Sequence, residues 1–289
     1  MAISLLVFSI AFGLLSMLAY GIIDYMGSIL TKKDNAVRIT FWYFLLSSIL
    51  LIVIGLLFFK PPTISLFHVL AFTILSIISV FAFLAFYKAL RIGKVAVVVP
   101  IANTYSIIIV LIGILFLNEN ITLFLGIGII LTILGTVLTS FKLKDIMNLN
   151  LKKAAPGVKY AIITMLGWGI LYASVGIISK QLGWFWPILI LTVGSTIVLF
   201  IYSSINKIKA SFPTKLTNLM FWYVLIGTAA FLFYSAGTSR GQISLVGPIA
   251  AAAPFVTVIL ARTLTKEKID ANQIVGIACI IMGLVIIAY

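Results

Sequence analysis

Ten apolar runs of about twenty residues, parted by short polar breaks, fill this 289-residue chain. A bilayer's hydrocarbon core is about 30 Å thick, so one spanning helix needs about 20 residues. The runs read as helices over 4–30, 38–59, 67–90, 95–117, 121–141, 157–180, 185–205, 217–239, 244–264 and 270–288. The breaks carry turn chemistry, as in Lys60-Pro61-Pro62, Asn118-Glu119-Asn120 and Arg240-Gly241-Gln242. Composition agrees: 63% of residues are hydrophobic and 9% charged, against roughly 45–50% and about 25% in a soluble domain. A soluble globular fold is excluded, and ten spans leave no room for a second, soluble domain. The longest polar stretch, Lys142 to Lys159, reads as a linker.

Twenty Lys and Arg face six Asp and Glu, a net charge of +14. In a soluble protein such a balance points to nucleic acid; here it marks the cytoplasmic loops, and no nucleic-acid partner is expected. With ten helices, seventeen basic residues fall on one side, in loops 1–2, 3–4, 5–6, 7–8 and 9–10. Only Lys60, Lys180 and Arg240 fall on the other. The positive-inside rule then places both termini outside a cell membrane crossed many times. An odd helix count would scramble this split. The lone cysteine, Cys279, lies inside an apolar run, so no disulfide can form within the chain. The lone histidine, His68, opens an apolar segment. The start, Met1-Ala2-Ile3, lacks the basic region of a cleavable signal peptide.

Sliding the chain by 148 residues aligns its halves. Gly93, Pro100, Glu119, Gly128 and Gly135 meet Gly241, Pro248, Glu267, Gly276 and Gly283 at identical spacing. Tyr20-Gly21 meets Trp168-Gly169, and with a one-residue slip Phe86-Tyr87 meets Phe233-Tyr234. Each repeat holds five helices. Five is odd, so the second repeat enters the membrane from the opposite side, which predicts a pseudo-two-fold axis in the membrane plane. The fold class is therefore an all-α membrane protein with ten transmembrane helices in two inverted five-helix repeats, residues 1–141 and 157–289. A basic cytoplasmic linker, 142–156, joins them.

These residues carry a resemblance. The small-aromatic-Gly turns at Tyr20-Gly21 and Trp168-Gly169 belong to it, with the stretch from Phe86 to Gly93, Arg38, Pro100 and Pro248, Glu119 and Glu267, and the glycines of helices 5 and 10. The chain resembles the drug/metabolite transporter superfamily in its EamA-type ten-helix branch, over nearly its whole length. The resemblance implies two five-helix halves around a central cavity, helices 5 and 10 at the periphery, and transport by alternating access. Known branches carry amino acids, other small metabolites, drugs, nucleotide sugars and sugar phosphates. Many bacterial relatives keep basic termini and a basic loop 2–3, and so the opposite orientation; here those positions are nearly uncharged.

Several residues suit a substrate site. Pro100 and Pro248 each remove a backbone donor and free the carbonyl four residues back, at Ala96 and Ser244; Pro254 does so for Ala250. Such matched interruptions point to a binding site, while the structural alternative is a kink satisfied by neighbours. Asn103, Thr104 and Tyr105 follow Pro100 and could face the cavity; their mates, Ala251, Ala252 and Ala253, would leave space. Asp24 is the one carboxylate well inside a helix, suited to a proton or a substrate amine, unless it is a helix-end residue near Lys32 and Lys33. Tyr20, Tyr87, Trp168, Tyr172 and Tyr234 recur at matched places and could line the cavity or pack helices. Lys88 beside Arg91 reads either as snorkelling to the surface or as an anion clamp, with Arg240 in the same role at the other mouth. Lys180 reads as a helix-end anchor. Glu119 and Glu267 read as caps of the helices they open.

No residue set has metal-ligand spacing, no carboxylate pair suits acid–base work, and no P-loop is present, so neither catalysis, metal nor cofactor is expected. The favoured function is a secondary active transporter exporting small metabolites such as amino acids. The alternatives are an exchanger of phosphate-bearing solutes with the same fold, and a non-transporting receptor or scaffold. Fusion of two halves in one chain favours a monomer.

Overall fold

The computed structural model describes residues 2–93, 95–143, 147, 151–208 and 211–288. Lys94, Lys144 and Lys209, counted above with the basic loops, lie outside them, as do residues 144–146 and 148–150 of the expected linker. Twelve helices occur among the described residues. In the first repeat they are α1 (Ala2–Lys33), α2 (Ala36–Phe58), α3 (Leu66–Ile92), α4 (Val95–Asn103), α5 (Tyr105–Leu117) and α6 (Leu123–Thr139). The second holds α7 (Leu151–Leu182), α8 (Trp186–Ile205), α9 (Thr217–Arg240), α10 (Ile243–Ala251), α11 (Ala253–Leu264) and α12 (Ala271–Ala288). Nine spans among the described residues are long and apolar enough to cross a membrane, taking α4–α5 and α10–α11 as one span each. The tenth segment, α6, is a shorter apolar helix of 17 residues. Helix α7 begins at Leu151, six residues earlier than the apolar pattern suggested, because its first turns are polar but carry on the same helix.

The expected fourth and ninth helices are each broken. The breaks fall at Thr104 and Ala252, the same register in both repeats, four residues after Pro100 and Pro248. At both, the chain tightens to i→i−3 bonds: Thr104 N–H donates to Ile101 O (3.2 Å) and Ala252 N–H to Ile249 O (3.2 Å). In the second repeat Pro254 sits at the start of α11 and can donate nothing to Ala250 O. The first repeat has Ser106 there instead, and the Thr104 hydroxyl donates to Ile101 O at 2.6 Å.

The repeats interlock. Helix α1 packs against α9, α10 and α11, and its mate α7 packs against α3, α4 and α5. Neither half can bury the inner face of its first helix without the other. Gly21 and Gly169 make this possible: a Cβ on Gly21 would collide with Val256 of α11, and one on Gly169 would lie 2.5 Å from Cβ of Ile108, the mate position in α5. Helices α6 and α12 pair along their length across Gly128, Gly135, Gly276 and Gly283, where a Cβ on Gly135 would sit 2.5 Å from the Gly276 carbonyl oxygen. Large apolar side chains cover the outside, Leu56, Phe116 and Leu123 among them, as a lipid-facing surface requires.

Candidate functional site

Of the aromatic residues singled out above, Tyr20, Tyr105, Trp168, Tyr172 and Tyr234 meet at the centre of the bundle, and Tyr87 stands apart beside Thr40. The Tyr172 ring of α7 stacks on Tyr105 of α5 (centroids 5.2 Å apart) and Phe231 of α9 (5.4 Å), and Tyr234 meets it edge-on (5.0 Å). Tyr20 of α1 stands edge-on to Tyr172 (6.0 Å) and Phe231 (5.6 Å). Trp168 touches Tyr105 (6.0 Å) and Phe86 (5.0 Å). The Tyr234 hydroxyl donates to the Tyr172 carbonyl (3.0 Å) and the Tyr20 hydroxyl lies against that of Tyr172, whereas the buried Trp168 indole N–H has no hydrogen-bond partner among the described residues. Buried polar groups are nearly always satisfied, so this N–H is available to a guest.

Asp24 lies one turn from Tyr20, about 10 Å inside the end of its span. Met17, Gly21, Asp24 and Ser28 share one stripe of α1, at helical spacing. The first two are buried and the last two exposed. Within the span, exposed Leu15 lies on the opposite face and exposed Leu18 about 120° round from Asp24, while exposed Leu5, Leu6 and Val7 lie at the far end of the helix. Asp24 therefore shares the stripe of α1 that carries the buried Met17 and Gly21, with its own side chain exposed, and the space beside it at the basic-loop end of α1 is the candidate vestibule. The hydroxyls of Tyr87, Tyr105 and Tyr223 are within electrostatic reach of its carboxylate. Tyr223 lies over Gly27, one turn further along α1, and Tyr87 shares a 3.0 Å hydrogen bond with Thr40. Tyr43 extends the wall, 5.3 Å from Tyr223 between centroids. None of the ion pairs among the described residues involves Asp24.

The opposite end is sealed. Phe59 stacks on Phe185 at 4.2 Å, His68 bonds Gln181 (3.0 Å), and Arg240 stands over Phe8 at 4.8 Å. At its centre the Glu119 carboxylate accepts from Ile243 N–H (2.9 Å), Ser244 N–H (3.0 Å) and the Ser244 hydroxyl (2.5 Å), with Lys180 Nζ at 3.4 Å. Glu119 thus caps a helix, but not the one it was expected to open: it caps α10 of the other repeat, while Thr122 caps α6. Among the described residues Glu267 caps no helix, and its carboxylate meets Lys142 (3.0 Å) at the surface. Lys180 is anchored as a helix-end residue, to Glu119.

Two further singled-out residues stand away from the aromatic cluster. Asn103 turns to α6 and donates to Ser140 Oγ (2.9 Å). Lys88 is exposed, its Nζ 4.4 Å from the Tyr160 centroid. Tyr43, Phe231, Tyr223 and Thr40 were not singled out. Tyr43 and Tyr223 have Leu191 and Leu75 as repeat mates, so a search for matched aromatics passes over them. Their one sequence signal is a tyrosine inside an apolar run.

A sequence model of the EamA-like transporter family matches twice, over residues 7–141 and 155–289. The two matches are displaced by the register of the internal repeat. An uncharacterized protein of Methanocaldococcus jannaschii is 34% identical over 134 residues, which are 46% of this chain and 96% of that one. A solved crystal structure superposes with a TM-score of 0.74 at 16% identity, covering 96% of each chain. It shows a shared fold.

Proposed function

Since the chain belongs to the EamA-like transporter family, we propose that it exports small amine-bearing metabolites, amino acids and their relatives among them, by alternating access to the vestibule. The observation that carries this reading is Asp24, an exposed carboxylate within a spanning helix, on the stripe that also carries the buried Met17 and Gly21. An ionisable group at such depth is costly and is kept where it binds or relays charge. A carboxylate among tyrosines suits an ammonium group, attracted by the charge and by the ring faces. The unpartnered Trp168 N–H supplies a donor for a carboxylate or carbonyl on the same solute. With the basic loops in the cytoplasm, the vestibule opens where an exported solute enters. One chain carries both halves, so one copy suffices.

The phosphate-exchanger alternative has less support. Lys88 and Arg91 are exposed and Arg240 lies at the sealed end over Phe8. A carboxylate kept within a spanning helix also counts against a scaffold.

The test is the melting temperature of detergent-purified protein with amino acids, tetraethylammonium or glucose 6-phosphate. A ligand binding only the folded state raises it by mass action. Amine-bearing compounds stabilise the protein, and Asp24→Asn abolishes the shift without altering the unliganded melt. Stabilisation by glucose 6-phosphate alone overturns the substrate class. No stabilisation, with no uptake into proteoliposomes, overturns transport in favour of a receptor or scaffold.

A further inference from the structure

We propose that Glu119 is the gate residue of the sealed end, a latch whose release lets the vestibule open on the side away from the basic loops. This rests on the transport reading above. The latch carboxylate is almost wholly buried, with 6% of its side chain exposed. All of its donors, at Lys180, Ile243 and Ser244, come from the opposite repeat. A carboxylate at a helix N-terminus collects free N–H groups and the positive end of the helix dipole, and hydrogen bonds to a charged acceptor are the strong ones. The local build serves this contact. Asn118 adopts the left-handed conformation (φ 50°), Glu119 N–H donates to Gly113 O (3.0 Å), and a Cβ on Gly113 would lie 2.6 Å from the Glu119 carboxylate.

The inverted repeat supplies the comparison. The same turn is built around Glu267: Lys266 has φ 56°, and Glu267 N–H donates to Ala261 O (3.2 Å). Yet half of the Glu267 side chain is exposed, and its carboxylate meets only Lys142 among the described residues. The two turns lie on opposite membrane faces, one engaged and one free. The broken spans repeat the asymmetry: 72% of the Ile243–Leu264 window is buried, against 39% of Val97–Leu117. Exchange of the engaged turn for the free one is the step that would reverse access. The exchange is unequal, because Ser244 and Gly113 have Ala96 and Ala261 as mates. Glu267 would find no hydroxyl donor and a methyl group in its way. The protein therefore rests sealed at the Glu119 end.

The experiment uses the full chain in a Cys279→Ser background and follows thiol labelling in detergent. Ser179→Cys reports the sealed end, where Ser179 is buried against Thr238. Ser28→Cys reports the vestibule mouth. The first labels slowly and the second fast. Adding Glu119→Gln or Ser244→Ala raises the Ser179→Cys rate about tenfold or more and lowers the Ser28→Cys rate; Glu267→Gln does not raise the first. Unchanged rates overturn the latch. A rise at both sites also overturns it, because loosening is not reversal; melting curves identify a variant that fails to fold. If Glu119→Gln reverses labelling while the unsubstituted protein moves no solute, the latch stands and the transport reading falls.

Discussion

Gly135 shows how little side chain the α6–α12 seam allows. An added Cβ there would press on the Gly276 carbonyl oxygen and on Ile280 N (2.8 Å), both backbone atoms that cannot turn aside. Gly126, on the same helix, would meet only the tip of Ile121 at 3.6 Å. Gly135→Ala is therefore expected to cost about 1–3 kcal/mol, the usual range for overpacking, and to lower the melting temperature. Gly126→Ala leaves it unchanged or raises it, since alanine is the better helix former by about 1 kcal/mol. Equal melts for the two variants would mean that the seam yields. The spacing of Gly128, Gly135, Gly276 and Gly283 in the sequence already pointed to close packing. The partners of Glu119 were not readable in the same way. A carboxylate before a helix suggests a cap on that helix, and nothing local says that α10, 124 residues on, comes to collect it. Asp24 was legible as a costly residue inside a span, but whether water reaches it depends on helices far away in the chain.

At the scale of the element, the paired breaks in α4–α5 and α10–α11 depend on different chemistry in the two repeats. Proline was visible in both, but it falls four residues before each break rather than at it. The break itself lies where an i→i−4 bond gives way to i→i−3. In the second repeat Pro254 makes the bond to Ala250 O impossible; in the first, the Thr104 hydroxyl occupies Ile101 O. Replacing Pro254 with alanine restores a donor and lets the helix run on. The melting temperature is then expected to hold or rise, while uptake into proteoliposomes falls several-fold, because a straight α10–α11 is stiffer at the point where the repeats must flex. Uptake at the unsubstituted rate would show that the break is only a packing feature. Boundaries within spans were read well from apolar runs. The early start of α7 was missed because a polar helix above the membrane has no apolar signal.

For the whole molecule, the inverted repeat couples topology to mechanism. Because five helices make a repeat, any contact in one half has a mate position on the other face, and a conformer open on one side engages the two members unequally, as Glu119 and Glu267 are here. Which face is cytoplasmic decides whether the open vestibule loads or releases. Under the positive-inside rule, the seventeen-to-three division of basic residues would place the vestibule mouth and the basic loops inside, and both termini outside. This predicts that a C-terminal alkaline phosphatase fusion is active in a bacterial host and a C-terminal green fluorescent protein fusion is dark, with the opposite signals for fusions after residue 143. The reverse pattern would turn the vestibule outward and convert the same latch into a seal on the cytoplasmic side. Export would then start from the conformer not seen here, and an uptake role would fit the geometry better.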